Sequence, residues 1–295
     1  MYDIKRTEEP KRLEEALELL EDNSEAVLVA GGTDIMIHMK ERKLKEATLI
    51  SLMSVEELAG IRKETDGCIS IGSGTCFSDI VDDTVVNEYF PFLAEACRQI
   101  GSPQIRNVAT IGGNICNGVV SADSVPSLLV LDAELEITSR SGIEIIPIRD
   151  FHVGPGKTVL KQGDILTAIR IPEKNYKDIG GYYIKAGQRR AMEISTLGCA
   201  VAIRLKEDKK HVDEFRIAFG VAGPTPLRCP KLESSLSGEA VSDKLYRKIR
   251  NEVLSELMPR DSWRASLEYR EQLIRTLSER ATRQAVKRAG GNADV

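Results

Sequence analysis

Ala26-Val27-Leu28-Val29-Ala30-Gly31-Gly32-Thr33-Asp34-Ile35 decides how this chain is read, together with a second glycine pair in Thr110-Ile111-Gly112-Gly113-Asn114. The apolar run 26–29 has the length of a short buried strand, and the glycine pair follows it at once. Glycine at such a turn reaches positive φ and lets the backbone come close to a ligand. Successive N–H groups can then converge on an anion as a nest. One such loop is a weak signal, because a tight strand–helix turn also needs glycine. Two in the first half of the chain suggest a clamp on a diphosphate.

The spacing excludes two familiar phosphate sites. A dinucleotide-binding βαβ unit needs G-x-G-x-x-G between strand and helix, and residues 30–34 do not have it. No G-x-x-x-x-G-K-[ST] loop occurs either. The donors here are neutral: backbone amides plus the Thr33 hydroxyl in one loop, and Thr110 with Asn114 in the other. Such a set holds a diphosphate by directed hydrogen bonds rather than by a lysine charge.

The composition is that of a globular protein with room for two modest domains: 295 residues, 42% hydrophobic and 29% charged. A net charge of −4 gives no global pull toward nucleic acid, and no apolar run is long enough to span a bilayer. The N-terminus goes straight into a charged, helix-like segment without a signal-peptide pattern, so a soluble cytoplasmic protein is expected. The six cysteines are scattered with no C-x-x-C, and the three histidines lie far apart. Iron–sulfur clusters and structural zinc need ligands at short spacing, so no metal is expected in this chain. If it does redox chemistry, an organic cofactor must carry the electrons.

Leu13, Ala16, Leu17 and Leu20 fall at i, i+3, i+4 and i+7, which predicts an amphipathic helix. A strand over 26–30 leads into the first glycine loop, and Asp34 is placed to cap a helix over 35–42. Strands are expected at 47–52 and 68–72, then a helix over 92–100 stopped by Gly101. A glycine- and asparagine-rich turn region, 101–123, carries the second loop; a helix at 124–131 and strands at 133–138 and 143–147 follow. Residues 173–178 read as a polar linker. Beyond them, strands at 180–187, 195–205 and 212–222 are spaced as an antiparallel meander, followed by helices at 241–257 and 262–288 and a disordered tail, 290–295. The fold class is therefore α+β in two domains, 1–175 and 176–295.

Leu28-Val29-Ala30-Gly31-Gly32-Thr33-Asp34 and Gly101-Ser102-Pro103-Gln104-Ile105-Arg106-Asn107-Val108-Ala109-Thr110-Ile111-Gly112-Gly113-Asn114 together resemble the FAD-binding subunits of molybdenum hydroxylases. The continuation Ile115-Cys116-Asn117-Gly118 and Ser121-Ala122-Asp123-Ser124 is similar to the xanthine dehydrogenase type. Further matching stretches are 151–157, Glu193-Ile194-Ser195-Thr196, 219–226 and Ser262-Trp263-Arg264-Ala265-Ser266, so the resemblance runs in order through nearly the whole chain. It implies an FAD-binding domain of the vanillyl-alcohol-oxidase (PCMH) type, followed by a carbon-monoxide-dehydrogenase-flavoprotein-like C-terminal domain. It also implies partners: a large subunit holding molybdopterin and a small subunit holding two [2Fe–2S] clusters, as a heterotrimer or a dimer of heterotrimers. In that family, substrate is hydroxylated at molybdenum, and electrons reach FAD and then NAD⁺ or another acceptor.

Carried onto this sequence, the resemblance assigns Leu28, Val29, Ala30, Gly31, Gly32, Thr33, Asp34 and Ile35 to the diphosphate and the adjoining flavin face. The Asp34 carboxylate would oppose a phosphate and is expected to point away. Thr110, Ile111, Gly112, Gly113 and Asn114 match a second FAD loop, and Gly101 a further contact, although a helix C-cap alone accounts for Gly101. Asp123 suits sugar or ribityl hydroxyls, the alternative being a cap on the next helix. Lys185 matches a lysine near the flavin ring, where a cation favours the reduced form; otherwise it is a solvated strand lysine. Leu166 is expected to supply an apolar contact to the ring, and Lys157 is a weaker phosphate candidate. Arg189 and Arg190 either dock a pyridine nucleotide or are simply exposed. Two other readings stay open: the same subunit in a CO, nicotinate or other N-heterocycle hydroxylase, and a scaffold that has lost its flavin.

Overall fold

The computed structural model describes residues 3–189 and 191–294. Its first layer is a three-stranded parallel sheet in the order Ile4–Glu8, Ala47–Ser51, Val27–Val29. The first of these corrects the helix-like reading of the N-terminus: the charges of Ile4–Glu8 are spread along an edge strand whose side chains are mostly exposed. The amphipathic helix Leu13–Asp22 forms as its spacing predicts, burying Ala16, Leu17 and Leu20 against Ala26, Ile50, Leu58 and Ile165. Each such aliphatic side chain contributes about 1.5–3 kcal/mol on full burial. That packing fixes the parallel sheet against an antiparallel sheet of five strands, in the order Ile61–Lys63, Ile69–Gly72, Ile165–Ile171, Glu134–Ser139, Gly142–Pro147.

A four-stranded antiparallel sheet follows: Ile179–Ala186, Leu197–Leu205, Val212–Gly220 and Leu227–Arg228. Its second strand is buried on both faces, and the sequence shows why. Cys199, Val201 and Ile203 point one way, into a cluster with Ile274, Leu277, Ala281 and Ala285 of the helix Leu267–Arg288. Ala200 and Ala202 point the other way, and their small size lets the sheet sit closely on Phe92, Leu93 and Val125 of the FAD-side core. Period two sorts large from small residues and so seats one half of the chain on the other. Polar bonds fasten the joint: Arg228 pairs with Asp132 and, at 2.6 Å, with Glu233, while buried Arg216 donates to the Val130 carbonyl at 2.8 Å.

Three further expectations are corrected. Residues 173–178 are no solvated linker: Glu173–Tyr176 makes a helical turn with Asn175 and Tyr176 buried, the Tyr176 hydroxyl donating to the Gly67 carbonyl at 2.5 Å. The tail is ordered through Asp294, because Ala293 is buried and its carbonyl accepts from Arg283 at 2.7 Å. The turn region 101–123 contains two short helices, Pro103–Arg106 and Ile111–Cys116, capped by Ser102 and Thr110. Elsewhere the predicted helices are shorter at their ends: Ile35–Lys40, Pro91–Arg98, and Asp243–Glu252, which a 3₁₀ turn, Val253–Glu256, extends. No described helix is long and apolar enough to cross a membrane.

Candidate functional site

At the carboxyl ends of the parallel strands Val27–Val29 and Ala47–Ser51 lies a cavity of about 220 Å³. Ligands of sheets with parallel strands commonly bind at that end. Leu28, Ala30, Leu52, Leu58, Leu160 and Leu166 make its apolar wall, and Ser73, Gly74, Thr110, Gly112 and Gly113 its polar one. A larger, open groove of about 570 Å³ runs beside the helix Leu13–Asp22, but it contains no residue of either glycine loop. Its Arg140 is engaged by Glu18 and Glu21 at the surface.

The two glycine loops touch. A Cβ on Gly31 would lie 1.8 Å from the Val108 carbonyl oxygen, so only glycine lets the first loop rest on the backbone leading into the second. Gly32 sits at φ 72°, the left-handed region that glycine tolerates. Among the described residues, no protein acceptor meets the amides of Gly31, Gly32, Thr33 or Asp34. They are four consecutive amides without a protein acceptor, directly after Ala30 of the cavity wall.

The second loop differs from its sequence reading. Its amides are already spent: Ile111 donates to Thr75 at 3.1 Å, Gly112 to Ser73 at 2.8 Å, Gly113 to the Thr110 hydroxyl at 3.1 Å and Asn114 to the Thr110 carbonyl at 3.0 Å. The stretch is a capped helix start rather than a second nest. Thr110, Gly112 and Gly113 reach the cavity with their surfaces, whereas Ile111 points into the core and the Asn114 side chain is held by Ser124 at 2.7 Å. Gly112 is pressed against Ser73, whose Cβ would be 2.5 Å from an added one.

Of the other predicted residues, Leu166 stands on the apolar wall. Val29 faces away with Met39 and Leu49, and Ile35 packs in that same cluster. Asp34 occupies the helix N-cap position, yet its exposed carboxylate accepts no capping bond, which corrects that expectation. Gly101, at φ 51°, follows the helix Pro91–Arg98 and lies off the cavity wall. Lys157 and Arg189 are exposed, Arg189 donating to the Met192 carbonyl at 2.9 Å; Arg190 lies outside the described residues.

Asp123 and Lys185 also lie off the wall, and each departs from its simpler alternative. Asp123 makes no helix cap, and Lys185 is not solvated. They form a buried ion pair, Nζ to Oδ2 at 2.7 Å, with side chains 7% and 9% exposed. Lys185 donates further to the Gln99 carbonyl at 3.0 Å, and Asp123 Oδ1 accepts the hydroxyls of Tyr183, at 2.6 Å, and Ser195. Burial first, and the carboxylate second, push the Tyr183 hydroxyl well above its usual range, so it stays a donor.

Sequence reasoning passed over Tyr183, Ser195 and the Ser73–Gly74 turn. For the last a signal was present: Gly72-Ser73-Gly74-Thr75 follows the strand Ile69–Gly72 just as the first glycine pair follows its own strand. Cys116 was also missed; it lines the cavity, and burial pushes its thiol up to about 12, keeping it protonated.

With this geometry in hand, comparison with known proteins places the chain. Residues 4–174 match the family described as FAD binding domain in molybdopterin dehydrogenase, and residues 182–285 match the CO dehydrogenase flavoprotein C-terminal domain. The chain is 41% identical over 291 residues to the xanthine dehydrogenase FAD-binding subunit of Escherichia coli O157:H7, covering 99% of both. It is 30% identical to the glyceraldehyde dehydrogenase medium chain of Sulfolobus acidocaldarius, over 91% of this chain and 94% of that one. A carbon monoxide dehydrogenase chain from Hydrogenophaga pseudoflava superimposes with a TM-score of 0.91 at 28% identity, over 98% of this chain and 99% of the other. An open amide row over an apolar cavity, in a chain matched end to end by such proteins, makes this chain a member of the family of FAD-binding subunits of the molybdenum hydroxylases, an oxidoreductase family that includes xanthine dehydrogenase.

Proposed function

We propose that this chain holds FAD as the electron-exit subunit of a xanthine-dehydrogenase-like molybdenum hydroxylase. In this reading a large partner subunit carries molybdopterin, a small one carries two [2Fe–2S] clusters, and the assembly works in the cytoplasm as a heterotrimer or a dimer of heterotrimers. The observation that carries it is the row of unengaged amides at Gly31, Gly32, Thr33 and Asp34 beside an apolar cavity. Neutral donors with an apolar wall fit a group that is a diphosphate at one end and a flat ring system at the other. FAD, once bound, supplies two-electron storage with release to NAD⁺ or another acceptor.

The chain's own residues then bind and orient. The amides of 31–34 hold the diphosphate oxygens, with the Thr33 hydroxyl as a further donor. Leu28, Ala30 and Leu166 exclude water from the ring face, and Thr110, Gly112 and Gly113 border the same space. Gly101, Ile111, Asn114, Val29 and Ile35 act by holding these segments in place. The Lys185 ammonium, fixed by Asp123, lies off the cavity wall, and it is the family resemblance that assigns it to the ring. A flavin-free scaffold would have no need to keep four consecutive amides unpaired.

The test is purification of the native complex through a tag on this chain, with its absorption spectrum, cofactor release on denaturation and subunit masses. One FAD per chain, with partners carrying molybdopterin and iron–sulfur, is the expected result. An intact complex without flavin refutes the reading.

A further inference from the structure

Asp123 belongs to the helix-rich first half of the chain, yet all three side chains bonded to it come from the C-terminal half. Tyr183 and Lys185 are on the strand Ile179–Ala186, two residues apart and therefore on the same face. Ser195 lies just before the partner strand Leu197–Leu205, and its hydroxyl donates to the same carboxylate oxygen as Tyr183. One buried carboxylate thus grips both legs of a hairpin, whose connection, 187–194, lies in sequence between the two grips. That connection is tied outward as well, Gln188 donating to the Arg264 carbonyl at 3.1 Å.

Both hydroxyls donate to Asp123 Oδ1. Tyr183 is buried, and its ring could pack as well without oxygen. What the hydroxyls do is satisfy Oδ1, which leaves Oδ2 alone to face the Lys185 ammonium. Of the three N–H groups of that ammonium, two are spent, on Asp123 and on the Gln99 carbonyl. Among the described residues, the third N–H has no protein acceptor. The position of Oδ2 is constrained by the two hydroxyls on Oδ1.

We infer that Tyr183 and Ser195 are positioning residues for the flavin site: they lock Asp123, and through it aim the free N–H of Lys185 toward the bound ring. The inference rests on the FAD reading above and deepens it, because neither residue touches the cavity wall. Removing either hydroxyl leaves the ion pair present with one hydroxyl on Oδ1 instead of two. Only loss of the Ser195 hydroxyl frees a leg of the hairpin, because Lys185 still ties the other leg to Asp123.

The experiment uses the tagged native complex, with Tyr183→Phe, Ser195→Ala and Ser195→Thr. The readouts are the FAD dissociation constant, the flavin midpoint potential, and the rate of tryptic cleavage after exposed Arg189. Loss of one hydrogen bond to a charged group corresponds to about a 10-fold weaker retention of FAD. Y183F and S195A should both show it, with a more negative potential; S195A alone should also speed cleavage, and S195T should restore the S195A values toward wild type. A purely structural role would lower thermal stability and leave the potential unchanged. Unaltered potential and FAD retention in Y183F and S195A therefore overturn the inference. A wild-type complex without FAD refutes the underlying reading instead, and that is established first.

Discussion

Replacing Gly31 by alanine tests the way the two glycine loops meet. The new Cβ would lie 1.8 Å from the Val108 carbonyl oxygen, 2.4 Å from its carbon and 2.9 Å from the Ala109 nitrogen. Ordinary contact distances are about 3.5 Å, so the backbones must part by roughly 1.5 Å. Residues 108–109 cannot yield easily. Ala109 donates to Ile105 at 2.7 Å, and its carbonyl accepts from Phe77 at 3.1 Å. Overpacking typically costs about 1–3 kcal/mol, and a backbone-on-backbone clash belongs at the upper end. At about 3 kcal/mol the thermal midpoint of the domain falls by about 6–12 °C. The same displacement moves the open amide row off the cavity, so FAD content falls as well. Gly154→Ala is the control, since its Cβ meets nothing nearer than Lys157 Cδ at 4.0 Å. The measurements are calorimetric unfolding and FAD per chain after gel filtration. A Gly31→Ala protein with wild-type midpoint and full FAD would falsify the account of the loop contact.

Lys185→Met strands a buried carboxylate, although two hydroxyl donors soften the loss; denaturant unfolding should show a destabilisation of about 3 kcal/mol. Asp123→Asn combined with Lys185→Met should cost less than the two single changes added, and strict additivity in that cycle argues against a coupled pair. Burial lowers the pKa of His152 from 6.5, its neutral ring donating from Nε2 to the Ile115 carbonyl at 3.0 Å. As pH falls the unfolded chain takes up this proton first, so stability declines from neutrality through pH 6.5 and levels off below the folded pKa. His152→Gln should flatten that part of the stability–pH curve, and an unchanged slope removes His152 as its source. The Cys116 thiol, pushed up to about 12 by burial, should react with iodoacetamide at pH 8 more slowly than a free cysteine, read by peptide mass spectrometry. Labelling as fast as a free cysteine contradicts a protonated thiol.

Much of the architecture is legible in the chain because the local period already carries it. The i, i+3, i+4 spacing of Leu13–Leu20 settles one helix, and the spacing of the strands expected at 180–187, 195–205 and 212–222 settles the antiparallel meander, while only the packing shows that Leu197–Leu205 is covered on both sides. Capping is legible less often. Ser102 and Thr110 do cap helices, while Asp34 and Asp123 occupy cap positions with their carboxylates turned elsewhere. An Asp before a helix offers the same sequence in both cases, and only its surroundings in space choose.

The sequence by itself determined the α+β class, the order of most elements, the family resemblance and the first glycine loop as a tight turn after a short strand. These depend on local backbone geometry and on patterns within one segment. The tertiary structure decided which loop keeps its amides open, since the spent donors of 111–113 are consumed by Ser73, Thr75 and Thr110. It also decided that Asn175 and Tyr176 are buried within 173–178, and that Asp123 joins two legs of a hairpin 60 and 72 residues away. Hydrogen-bond satisfaction and burial are properties of neighbours in space, and no spacing along the chain encodes them.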